Sequence, residues 1–160
     1  MGMDVYGKDG SYFRNNVWRW RPLWNYCCEV GSNAIPDKVK ASGHNNDGAG
    51  LNEKDSIKLA KILLHQIEIG ETKKYEDEYT AKIEALPDED CIICGGTGLR
   101  ANVPNIGPGS NGCNACGGSF DGNNRGTGKR RPWAASYPFS VENVKEFAEF
   151  LLKCGGFEIC

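Results

Sequence analysis

Long apolar runs are missing from this 160-residue chain. Nothing approaches the roughly 20 consecutive apolar residues needed to span a bilayer, so no membrane role is expected. The start turns polar at Asp4, which argues against a signal peptide. Gly2 follows Met1 as in a myristoylation site, but Tyr6 stands where that signal wants serine or threonine. These absences predict a cytoplasmic protein. A large charge excess is missing too. The formal net charge of −2 gives no strong global attraction to nucleic acid or anionic membrane. Also scarce, between 91 and 133, are core-forming side chains. That segment has almost no apolar periodicity and eleven glycines, too little to fold by burial alone, so a bound metal is expected to order it.

What is present begins with eight cysteines. Without an export signal, reduced thiolates that bind metal are expected rather than a disulfide scaffold. Four of them form two pairs, Cys91-Ile-Ile-Cys94 and Cys113-Asn-Ala-Cys116, with 18 residues between. Two residues between paired cysteines let a tight turn aim both sulfurs at one point. Gly95-Gly96 and Gly117-Gly118 follow the pairs. Glycine there permits the positive φ that turns backbone N–H groups toward the sulfurs. The spacing fits one four-cysteine zinc site. Four protein ligands leave zinc no open position, so the ion is expected to be structural rather than catalytic.

The run Cys91-Ile-Ile-Cys94-Gly-Gly96-Thr-Gly98 resembles the C-x-x-C-x-G-x-G repeat of DnaJ-type co-chaperone zinc domains. The second half departs from it, with Phe120 where the last glycine belongs, and this chain has two such repeats where that family has four. The resemblance implies a zinc-knuckle geometry and no chaperone activity.

Charge is unevenly spread. Residues 51–90 carry 6 basic and 11 acidic side chains, net −5, and 91–135 carry 5 and 1, net +4. Arg125, Lys129, Arg130 and Arg131 with Trp133 suit phosphates and a stacked base, or form a solvated loop. Trp18, Trp20 and Trp24 suit a ligand or partner pocket, or the core; as a strand, 18 and 20 would share a face. His44, Asn46 and Asp47 place a histidine near a carboxylate, as in a general-base pair or polar ligand site, or in a turn whose Asn and Asp bond their own backbone. Calcium-loop spacing is absent there. Cys27, Cys28, Cys154 and Cys160 read as free thiols.

Pro22 to about Glu29 reads as a helix with the proline in its first turn, and 31–50 as a loop. Asn52 caps a helix over 53–69, a second starts at Thr72 and stops at Pro87, and so short a connection predicts that the two pack as a hairpin. Ser140 caps the last helix, with Phe139 and Val144 as a hydrophobic staple and Gly155 as its C-terminal cap. Phe157-Glu158-Ile159 reads as a strand that pairs with Asp4-Val5-Tyr6.

The segments Met1-Gly-Met-Asp-Val-Tyr-Gly7, Tyr12-Phe-Arg-Asn-Asn-Val-Trp-Arg-Trp-Arg-Pro-Leu-Trp24 and Asn45-Asn-Asp-Gly-Ala-Gly-Leu51 resemble a group of small uncharacterised phage and bacterial proteins. The fold expected is α+β, mainly a helical single domain, with an inserted four-cysteine zinc ribbon. Its parts are an aromatic-rich region and helical hairpin over 1–90, the ribbon over 91–133, and a helix and strand over 134–160 that pack back. The function expected is non-enzymatic: a zinc-containing phage-type accessory or defence-modulating factor whose partner is a host or phage protein. A nucleic-acid-binding zinc ribbon is the alternative. A small-molecule binder or small enzyme at the His44/Asp47 loop is the second.

Overall fold

A computed structural model describes residues 2–100, 111–119 and 124–160. The chain is an α+β protein with two compact units: Met1–Lys82 with Ser136–Cys160, and Ile83–Ala135. Its described strands are β1 (Gly2–Gly7), β2 (Tyr12–Asn16), β3 (Ala49–Asn52), β4 (Glu89–Asp90), β5 (Lys129–Arg130) and β6 (Gly156–Ile159). Its described α-helices are α1 (Val17–Val30), α2 (Asp37–Ser42), α3 (Glu53–Glu68), α4 (Glu71–Glu84) and α5 (Val141–Leu151).

The first unit is built on an antiparallel sheet of order β2-β1-β6-β3. The last strand therefore lies inside the sheet, with Val5 opposite Ile159 and Leu51 opposite Phe157. Alternation then sends Met3, Val5, Leu51, Phe157 and Ile159 to the buried side. The pairing expected of the two chain segments is present, with Val5–Gly7 rather than Asp4–Tyr6 opposite Phe157–Ile159, and the two strands that flank it, β2 and β3, were not expected. β2 carries a polar residue, Asn15, on its buried side, so its sequence lacks the usual alternation. β3 buries a single side chain, Leu51, and takes its form from β6.

Helix α1 begins at Val17, where the Asn16 side chain accepts a 2.9 Å bond from the Arg19 N–H. Trp18 and Trp20 are thus helical, not on a strand. Pro22 lies inside the helix, not in its first turn. A proline there forfeits a helical hydrogen bond, offset by the burial of Trp20, Leu23, Trp24, Tyr26 and Cys27 on one face. The stretch 31–50 is not all loop: α2 follows Pro36 and has no buried residue, hence no apolar period to betray it.

Asn52 and Ser140 do cap α3 and α5, through bonds of 2.9 and 3.3 Å to the Asp55 and Asn143 N–H groups. The staple pair Phe139 and Val144 is buried. Helix α5 ends at Leu151; Gly155, at φ 65°, instead turns the chain into β6. The expected hairpin of α3 on α4 is not formed. The apolar face of α3 (Leu59, Ala60, Leu63) packs with α5 and its Val144, Phe147, Ala148 and Leu151. Helix α4, far more polar, buries only Thr72 and meets Tyr26 and Phe139 through Thr72, Tyr75 and Tyr79.

Candidate metal centre

The Sγ atoms of Cys91, Cys94, Cys113 and Cys116 all lie within 4.8 Å of one another. The Cys91–Cys113 and Cys94–Cys116 separations are both 3.9 Å, and no disulfide joins them. The four residues are 0–9% exposed. Among the described residues this is the one cluster of Cys, His or carboxylate groups placed to share an ion. The four sulfurs can bind a metal.

The site is built from one device used twice. In each knuckle the second cysteine's N–H donates to the first cysteine's carbonyl, Cys94 to Cys91 at 3.2 Å and Cys116 to Cys113 at 3.1 Å. The second glycine's N–H joins it, Gly96 to Cys91 at 3.3 Å and Gly118 to Cys113 at 2.8 Å. Positive φ serves Gly95, Gly96 and Gly117 as the spacing suggested; Gly118 lacks it and is glycine because a Cβ would crowd the Cys113 and Gly126 amides.

The correspondence runs further than the sequence reading found. Thr97 and Thr127 occupy matching places. Their N–H groups donate to the Cys94 and Cys116 carbonyls at 3.1 and 3.0 Å, and their hydroxyls donate to the same two carbonyls. Gly98 and Gly128 follow them. The Gly98 N–H donates to Cys94 Sγ at 3.2 Å, and the Gly128 N–H is placed to favour the Cys116 thiolate. Their carbonyls cross over: Gly98 accepts from the Cys113 N–H at 2.9 Å, and Gly128 from the Cys91 N–H at 2.8 Å. Each glycine thus supports a sulfur of its own knuckle and the backbone of the other. Gly128 fills the role of the glycine that the second repeat lacks at Phe120, a residue outside those described. A repeated Thr-Gly was the available signal, displaced in the second half by the eight residues 119–126.

The sulfurs also hydrogen-bond one another, which bears on their protons. Burial opposes the Cys94 thiolate, but the Gly98 N–H and hydrogen bonds with the other three cysteines bring its pKa down to about 7. Burial pushes Cys116 up to about 11, against the Gly128 N–H and with its thiol neighbours adding to the rise. Hydrogen bonding within the cluster therefore favours a thiolate near neutral pH, and a thiolate is what a metal ion needs.

Three of the basic candidates, Arg125, Lys129 and Arg131, engage groups of their own unit, the last two with side chains still about half exposed. Arg131 donates from both guanidinium ends, 2.9 Å each, to the Ile83 and Leu86 carbonyls at the end of α4, where a cation suits the helix terminus. Lys129 pairs with Asp90 at 2.6 Å, Arg130 stands opposite Glu89 in the β4–β5 ribbon, and Arg125 Nε donates to the Thr97 carbonyl. Trp133 is 56% exposed.

The remaining candidates do not assemble. Trp20 and Trp24 are fully buried and stacked at 5.5 Å; they belong to the core, not to a pocket. Trp18 lies 5.0 Å from the Tyr137 ring. His44 Nε2 bonds Asn25 at 2.9 Å rather than Asp47, and burial, with the Arg21 charge behind it, lowers its pKa. Asn46 donates to the Gly2 carbonyl. Asp47 lines a depression with Lys38, Ala41, Ser42, Asn45, Gly48 and Ala49, which includes neither His44 nor an indole. Of the leftover cysteines Cys27 and Cys154 are buried, Cys28 half-buried and Cys160 exposed.

Among the described residues no helix is long and apolar enough to cross a membrane. Compared with protein-family models, curated proteins and solved structures, the chain matches none.

Proposed function

We propose that the four cysteines hold one structural zinc ion and that the chain works by binding another protein, as a phage-type accessory or defence-modulating factor does. The carrying observation is the closed four-sulfur cluster. Zinc–sulfur bonds of about 2.3 Å in a tetrahedron put sulfurs about 3.8 Å apart, and two of the separations here are 3.9 Å. Four buried thiolates fill zinc's coordination, so the ion supplies shape to 83–135 and leaves no position for a substrate. The apolar Ile92 and Ile93, between the first two ligands, are 80% and 49% exposed, which suits contact with a protein. Lys129 and Arg131, engaged within their own unit, favour that reading over the nucleic-acid one.

Elemental analysis of the purified, tag-free chain should find one zinc per chain, and Cys113→Ser should lose it. Affinity capture from lysate should return a protein whose binding fails in Ile92→Asp. A preparation without stoichiometric metal would sink the zinc reading. Saturable, salt-dependent binding to DNA or RNA that Ile92→Asp leaves unchanged would replace protein binding with the alternative.

A further inference from the structure

We infer that the uncovered face of the four-stranded sheet docks a proline-rich segment of the partner protein, with a basic side chain of that segment set over Glu158. This rests on the protein-binding reading above and names the partner's chemistry at a second surface. Met3, Val5, Leu51, Phe157 and Ile159 point into the core that α1, α3 and α5 complete. Alternation sends Asp4, Tyr6, Tyr12, Arg14 and Glu158 to the other face, and none of these is buried. Tyr6 and Tyr12 are 50% and 49% exposed. They stand opposite each other on β1 and β2, with ring centroids 5.1 Å apart and planes tilted by 37°. The pair leaves a ledge of ring surface on an otherwise polar face.

The arrangement of this face selects the occupant. The Tyr12 hydroxyl donates to Asp4, which fixes that ring, whereas the Tyr6 hydroxyl has no hydrogen-bond partner among the described residues and can donate to a carbonyl. A polyproline II segment keeps its carbonyls unpaired and packs its rings on aromatic-lined sites. The strand register places Tyr12, Tyr6 and Glu158 in one row across three strands. That row spans two strand spacings, about 10 Å, and one turn of polyproline II advances about 9 Å. A segment lying along the row therefore sets prolines on the tyrosines and, one turn on, a residue over Glu158. No cation stands within 4 Å of Glu158 among the described residues, so a basic side chain complements its charge. Other partners fit less well. Asp4 and Glu158 beside the rings repel the phosphates of a stacked nucleic acid, and Arg14 already faces Asp4 at 3.9 Å. A sugar on the rings needs a surround of polar side chains, and Gly2 and Gly50 supply none.

The test titrates the isotopically labelled full chain with an octaproline peptide that ends in arginine, and follows backbone amide and tyrosine ring shifts. Saturable shifts are expected at Tyr6, Tyr12 and Glu158. Tyr6→Ala should raise the Kd about five- to tenfold, as the loss of an aromatic contact does. Glu158→Gln should raise it about two- to fivefold, the worth of an exposed charge pair, and abolish the advantage of this peptide over plain octaproline. Both positions are exposed, so the spectra of the free variants should otherwise overlay on the parent's. No saturable shift at millimolar peptide, shifts confined to other surfaces, a Kd unmoved in Tyr6→Ala, or an arginine advantage that survives Glu158→Gln would each overturn the inference. So would cellohexaose or oligothymidylate seated on the tyrosines more tightly than the peptide. A captured partner protein that binds Tyr6→Ala undiminished would overturn it while leaving the protein-binding reading intact. A chain without zinc, or one that captures no protein, fails that earlier reading while the peptide's contacts still decide this one.

Discussion

The Trp20 indole N–H donates a 2.8 Å hydrogen bond to the carbonyl of Gly43, tying the buried face of α1 to the end of α2. The Gly43 backbone, at φ −66°, suits any residue, yet a Cβ there would overlap the Trp24 indole. Gly43→Ala should therefore destabilise the first unit by about 1–3 kcal/mol through overpacking, read from urea unfolding followed by tryptophan emission. Unchanged stability would show that the Trp24 ring is not held against α2.

A second buried contact gives a coupling test. Asn15 donates to the Asn143 side-chain oxygen at 2.7 Å, and Asn143 donates onward to the Arg19 carbonyl. Both amides are nearly inaccessible. Asn143→Ala should cost about 1–3 kcal/mol because it strands the Asn15 donor. The double variant with Asn15→Ala should cost clearly less than the two single losses added together; strict additivity would mean the pair is not formed.

The quasi-repeat around the sulfurs makes a matched prediction. Gly98 and Gly128 both have positive φ, and a Cβ on either would overlap a carbonyl, that of Gly126 or Gly96. Gly98→Ala and Gly128→Ala should each weaken metal binding about tenfold or more, as changes in a metal's supporting shell do, measured by chelator competition. Gly10, also at positive φ but with open space around it, is the control: Gly10→Ala should leave metal affinity alone. If Gly98→Ala matters and Gly128→Ala does not, the equivalence of the two halves is wrong.

Alkaline pH should loosen the first unit. Burial, with the neighbouring Cys28 charge added, holds the Cys27 thiol well above its usual value, and burial lifts Cys28 to about 11. In the unfolded chain both release their protons near the ordinary thiol pKa of about 9. The folded state keeps more protons, so the benefit is whole below pH 9 and is lost as pH rises beyond it. Cys27 alone sets a slope of up to about 1 kcal/mol per pH unit. Cys27→Ala should start less stable but fall more gently between pH 9 and 11 in denaturant titrations; a parallel fall would remove Cys27 as the cause.

Local signals were the readable ones. The paired cysteines declare their convergence through spacing, and Asn52 and Ser140 declare helix starts through their own side chains. What escaped depends on partners far along the chain. β3 contributes only Leu51 to the core and exists because β6 pairs with it. The face of α3 reads equally well for α4 or α5, and α5 takes it because Phe147 and Leu151 offer more apolar surface than the charged α4. The tryptophan-rich run was ambiguous between pocket and core until Asn16 set where α1 begins. In the metal site, Thr127 and Gly128 were hidden by the residues that separate them from their knuckle. The basic side chains looked like a binding surface because their carbonyl and carboxylate partners sit about 40 residues away.

Strand β6 occupies an interior place in its sheet, between β1 and β3, although it is translated after every other described element. A nascent chain therefore waits with β3 unjoined to the β1–β2 hairpin while the whole of 83–135 emerges. The cysteine unit needs nothing from beyond Ala135 to bring its sulfurs together, so it can acquire its ion on the ribosome, whereas the sheet can knit only after residue 159 has cleared the exit. Scarce metal during synthesis would then be felt first by a segment that completes early, and a stalled or truncated message would yield a loaded knuckle beside an open, unsealed scaffold.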